Sequence, residues 1–144
     1  MKFMILVKAT KESESGVLPD EKILTEMGKY NEELVNAGVM LAGEGLHPTS
    51  KGARVRFDGD KRTVIDGPFA ETKELIAGFW MFEVKSRDEA IEWVKRSPFQ
   101  EGEVEIRQVM AEEDFGDLQE KVPEVFEQER RFREQAEQKR KAGQ

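Results

Sequence analysis

"AGFWMFEV", residues 77–84, is almost wholly apolar. An apolar run of this length with no polar face reads as a central strand, covered on both sides. Downstream, Ser86 with Glu89 three residues later forms a capping-box pattern that opens a helix, with Ala90, Ile91 and Val94 facing inward and Pro98 ending it. "VEIRQVM", residues 104–110, reads as a further strand. Upstream, Arg54, Arg56 and Asp58 alternate with Val55 and Phe57, "DGDK" turns the chain, and "RTVID" returns it, which predicts a hairpin. One face of its arms is polar, so the hairpin is expected to project at an edge. Residues 39–48, "VMLAGEGLHP", read as a strand whose glycines at 43 and 45 mark a bulge or a close approach. Residues 19–37 carry Ile23, Met27, Tyr30, Leu34 and Ala37 at helical spacing. Pro19 suits the first turn of that helix, Asp20 and Glu21 suit its N-terminal dipole, and Gly38 ends it. Residues 10–16, "TKESESG", read as a loop, and residues 1–8, "MKFMILVK", as a strand apolar on both faces.

The order is strand, helix, strand, hairpin, strand, helix, strand. That is an α+β fold, a ferredoxin-like split β-α-β with an inserted β-hairpin. Two helices cover only one face of a four-stranded antiparallel sheet, yet residues 1–8 and 77–84 are apolar on both. A second copy of the sheet would cover the other face, which predicts a homodimer; the rival cover is the chain's own tail. The domain is expected to span residues 1–112. Residues 113–144 form a charged helical tail, with Leu118, Val122, Val125, Phe132 and Ala136 on a narrow stripe that Glu129 interrupts. After Pro123 that tail reads as a helix, either lying on a partner subunit or solvated.

Composition narrows the function. The formal net charge is −7, against a basic face for nucleic acid. There is no cysteine, which excludes disulfides, thiolate metal sites and cysteine nucleophiles. Apolar runs fall short of a membrane span, and the N-terminal residues run straight into charge without a signal-peptide pattern, so a cytoplasmic protein is expected.

"DGPFAETKELIAGF", residues 66–79, lies between the hairpin and the central strand. With "GEGLHP" at 43–48, "EAIEWV" at 89–94 and "VEIRQV" at 104–109, it resembles the DGPF-domain proteins of the YCII-related family. The resemblance covers about residues 1–112 and implies a dimeric α/β barrel of the ferredoxin-like kind. Most of that family is uncharacterised, and a few relatives are enzymes on small organic substrates. DGPF proteins also accompany extracytoplasmic-function sigma factors, which implies a regulatory role. The enzyme-like relatives use a His-Asp pair with the histidine on the first helix, and residues 19–37 contain none.

The candidate acid/base group is the single histidine, His47, because imidazole titrates near pH 6.5. Pro48 holds His47 extended, and loops at one end of the sheet would let it reach Asp66, Glu71 or Glu74. Asp66 has two readings: a general base or orienter of His47, or a turn-former whose carboxylate accepts backbone N–H groups before Gly67-Pro68. Glu71, Lys73 and Glu74 either bind a polar ligand, Lys73 receiving an anion, or form exposed ion pairs worth about 0–1 kcal/mol. Phe69 is expected to plug a core or pocket wall, and Arg54 and Arg56 to be solvated. One histidine without cysteine leaves only a hard-cation carboxylate site, no phosphate loop or nucleophile elbow is present, and no metal or nucleotide cofactor is expected. Two functions stay open: a small-molecule site near His47, Asp66 and residues 71–74, with acid/base catalysis, or a regulatory module that contacts a sigma factor or another protein.

Overall fold

The computed structural model of the chain describes residues 1–143. They divide into two units, Met1–Val109 and the residues from Met110 onward. The first is an α+β unit. Strands β1 (Lys2–Lys8), β2 (Met40–Gly45), β5 (Ile76–Glu83) and β6 (Val104–Gln108) form a four-stranded sheet ordered β2-β5-β1-β6, and every neighbouring pair is antiparallel. Strands β3 (Ala53–Asp58) and β4 (Lys61–Asp66) form a separate two-stranded sheet.

The apolar run at 77–84 is one of the two central strands. Trp80 and Phe82 are buried on one face and pair in register with Ile5 and Phe3 of β1. Helices α2 (Glu21–Asn36) and α3 (Arg87–Lys95) supply Tyr30, Leu34 and Ala90 to the same core. The helices thus cover one sheet face. The opposite face carries Met4 and Leu6 of β1 against Met81 and Phe79 of β5, all only half-buried.

Several local expectations need correction. Residues 10–16 contain a short helix, α1 (Lys11–Glu14): the Thr10 hydroxyl accepts from Ser13 N–H and the Ser13 hydroxyl accepts from Thr10 N–H. Pro19 lies before α2, because the Asp20 carboxylate accepts from Ile23 N–H at 2.8 Å and makes Asp20 the N-cap. Ser86 does cap α3, but Glu89 reaches back to Lys85 N–H rather than to Ser86. Strand β2 stops at Gly45, so His47 and Pro48 lie beyond it, leading into a 3-10 turn, Thr49–Lys51. The register of β2 shifts between Met40 and Ala42, ahead of the glycines rather than at them, and Gly43 is instead a close approach, since a Cβ there would crowd Trp80 Cδ1 at 2.7 Å.

The second unit contains a 3-10 turn (Glu112–Phe115), a short helix α4 (Leu118–Lys121) and a long helix α5 (Pro123–Ala142) with Pro123 in its first turn. Phe115 packs edge-on against Phe126 with ring centroids 5.5 Å apart, and Arg130 pairs with Glu112 at 2.9 Å. No described helix is long and apolar enough to cross a membrane.

Candidate functional site

The DGPF turn connects the hairpin to the central strand, and its geometry is set by residues distant in sequence. The Thr49 hydroxyl donates to Glu14 Oε2 at 2.6 Å, and Thr49 N–H donates to Glu14 Oε1 at 3.1 Å. The same hydroxyl accepts from Phe69 N–H at 3.0 Å, while Gly67 N–H donates to the Gly52 carbonyl. Thr49 is therefore a clasp that ties α1, the 49–51 turn and the DGPF turn together. Gly67 sits directly against it: a Cβ at that position would drive into the Thr49 carbonyl oxygen. Only glycine allows that approach. The Gly67-Pro68 peptide is cis.

This assigns the turn-forming work expected of Asp66 to other groups. Asp66 is the last residue of β4 and is exposed, and among the described residues its carboxylate accepts no backbone N–H. Phe69 is half-buried, and the Arg54 guanidinium lies 3.8 Å from its ring centroid. Arg54 is exposed as expected, and it also stacks on the motif's aromatic ring and links the base of the hairpin to the turn, a contact worth about 0.5–1 kcal/mol.

Beyond Phe69 the chain forms one wall of an open cleft of about 820 Å³. Glu71, Lys73 and Glu74 line it together with Thr10 and Lys11, and Ala9 N–H donates to the Leu75 carbonyl beneath. The three candidate binding residues thus share one cleft, and Lys11 joins Lys73 as a second cation there. The Thr10 hydroxyl is already used in capping α1. Lys11, Glu71, Lys73 and Glu74 are all exposed, so water screens their charges. His47 is exposed, does not line this cleft, and is joined to Asp66 by no hydrogen bond or ion pair among the described residues.

Sequence reasoning missed Glu14, Thr49 and Lys11. It also missed Asn31, whose side-chain oxygen accepts from Trp80 Nε1 at 2.9 Å. Their residue types are ordinary in loops and helices, so only their contacts single them out. No group of three His, Asp or Glu side chains among the described residues converges as a metal site would require.

The topology and the motif together define an α+β domain of a known kind. The family model of the YCII-related domain matches residues 1–113, and the chain belongs to that family. An uncharacterised protein of Rhizobium meliloti (strain 1021) is 34% identical over 76 residues, which are 53% of this chain and 61% of that relative's length. A solved structure is also similar: 5-chloro-2-hydroxyhydroquinone dehydrochlorinase from Burkholderia phenoliruptrix AC1100, in complex with 2,5-dihydroxybenzoquinone. It is 17% identical, with a TM-score of 0.45 over 79% of this chain and 98% of its own. At that distance it carries no argument about chemistry.

Proposed function

We propose that this YCII-related protein is a homodimer, its four-stranded sheets face to face, that binds a small polar or anionic molecule beside the inner sheet. The observation that carries the reading is the uncovered sheet face. Met4, Leu6, Phe79 and Met81 form its apolar centre, while Lys8 and Glu105 pair at 3.2 Å toward one edge and Glu44 stands toward the other. An apolar centre with a charged rim is the anatomy of an interface. The strand order β2-β5-β1-β6 and the run Asp66-Gly67-Pro68-Phe69 support the reading of a ferredoxin-like, DGPF-type domain that pairs as a dimeric α/β barrel. In that dimer Lys11, Glu71, Lys73 and Glu74 would receive the ligand's polar groups. His47 and Asp66 would supply acid/base chemistry if the second copy or the ligand brings them together.

Sedimentation at micromolar concentration tests the dimer. The wild type should sediment as a dimer and Phe79→Asp as a monomer; a monomeric wild type ends the reading. Ligand binding is tested separately, by calorimetry with a panel of small organic acids on wild type and Lys73→Ala. A second reading, a regulatory module that contacts a sigma factor, rests on the charged residues from Met110 onward forming a unit of their own. Pull-downs with and without residues 117–144 separate it from the first.

A further inference from the structure

Helix α5 is 20 residues long, and along it Phe126 alone is half-buried while the other residues are exposed. A unit of this size buries too little surface to hold such a helix, and isolated helices are marginal in water. Phe126 faces Phe115 of its own unit. Val125 and Phe132 lie two turns apart on a different face, about 100° round from Phe126, and are 49% and 55% exposed. Ala136, one turn further, extends that stripe.

Charge decides what covers the stripe. The first turns of α5 carry Glu124, Glu127 and Glu129, and α4 before it carries Glu120. The remainder carries Arg130, Arg131 and Arg133, then Lys139, Arg140 and Lys141, against Glu134 and Glu137. Acid thus precedes base along one helix. The macrodipole explains part of this arrangement, but Arg130, Arg131 and Arg133 lie mid-helix, beyond the reach of the last turn. A parallel pair of such helices would set acid against acid and base against base. An antiparallel pair sets each acidic half against a basic half and opposes the two dipoles.

We infer that α5 docks antiparallel on α5 of a second copy, Val125 of each helix against Phe132 of the other. In this register Glu124 lies near Arg131 of the second copy, and Glu129 lies beside the two-fold axis. Glu129 is the cost of the arrangement, a charge in the seam, and the pairing is correspondingly modest.

The absence of cysteine from the chain makes cross-linking a clean test. Glu129→Cys and Phe132→Cys are made separately in the full chain and oxidised. At 1.5 Å rise per residue, antiparallel pairing leaves the two 129 positions about 1.5 Å apart along the axis and the two 132 positions about 10 Å apart, outside disulfide reach. Cross-linking is therefore expected at 129 and not at 132. It should slow on the order of fivefold when Arg131→Glu is added, an effect near 1 kcal/mol, and recover when Glu124→Arg joins it. Equal cross-linking at 129 and 132 would mean parallel pairing and overturn the proposal. No cross-link at 129 would leave the helix solvated or covered by another protein and overturn it too. Sedimentation of Phe132→Asp, which removes the helix stripe and leaves Phe79 in place, reports the sheet-face dimer by itself, so the two readings fail separately.

Discussion

The first unit holds two antiparallel sheets that use the same residue types to opposite ends. In the four-stranded sheet, Phe3, Ile5, Trp80 and Phe82 are buried beneath α2 and α3. In the two-stranded sheet, Val55, Phe57 and Val64 share one face and remain 50–69% exposed. Alternation of apolar residues is equally good in both. What differs is the third element: helices lie on the first sheet, whereas an isolated hairpin has nothing to bury its apolar face against. The hairpin is held at its base, by Arg54 on Phe69 and by the Gly67–Gly52 backbone bond, rather than along its length.

The sharpest break in that contrast is Phe82→Ala. Phe82 has no solvent exposure, so its truncation should cost about 3–5 kcal/mol in urea unfolding. Gly67→Ala comes next, because the new methyl has no room against the Thr49 carbonyl and backbone must move: about 3 kcal/mol is expected. Crystallography or amide exchange should place its damage at 49–52 and 66–74, with the four-stranded sheet intact.

Tyr30 sharpens the buried side. Its hydroxyl donates to the Trp93 carbonyl at 2.7 Å, and Tyr30→Phe should cost about 1 kcal/mol at neutral pH. Burial, the largest influence, pushes its phenol from 10.0 up to about 12, with Arg96 pulling it down and Glu33 pushing it up. Between those values the unfolded chain loses the proton while the folded chain keeps it. The contribution is therefore complete below pH 10.0 and lost as pH rises toward about 12, by at most about 1.4 kcal/mol per pH unit. Tyr30 is the only tyrosine, so absorbance titration reads it directly, and the difference in stability between wild type and Tyr30→Phe should shrink across that window.

The smallest effect belongs to the hairpin. Phe57, 69% exposed with the Arg62 guanidinium 4.7 Å from its ring centroid, should change stability by less than about 0.5 kcal/mol on truncation to Ala. A larger, concentration-dependent loss would show that a second copy covers the hairpin face.

The candidate site was legible unevenly for the same reason. The charged stretch at 71–74 announced itself by composition, and its residues do line one cleft. The clasp did not: Glu14 and Phe69 meet Thr49 across 35 and 20 residues, and neither a glutamate in a polar loop nor a threonine after proline is unusual alone. Gly67 was visible only as a turn residue, although its role is to let two backbones touch.

By itself the sequence determined the main strands and helices and which of their faces are apolar. Period-two and period-3.6 patterns report which faces are apolar, so strands β1 and β5 and helix α2 could be read from local spacing. Tertiary structure alone decided which distant polar groups satisfy one another. That choice removed Asp66 from the turn, put Thr49 in its place, and set Lys11 beside Lys73. A hydrogen bond needs two partners within about 3 Å, and nothing in the spacing of either partner along the chain says where the other will be.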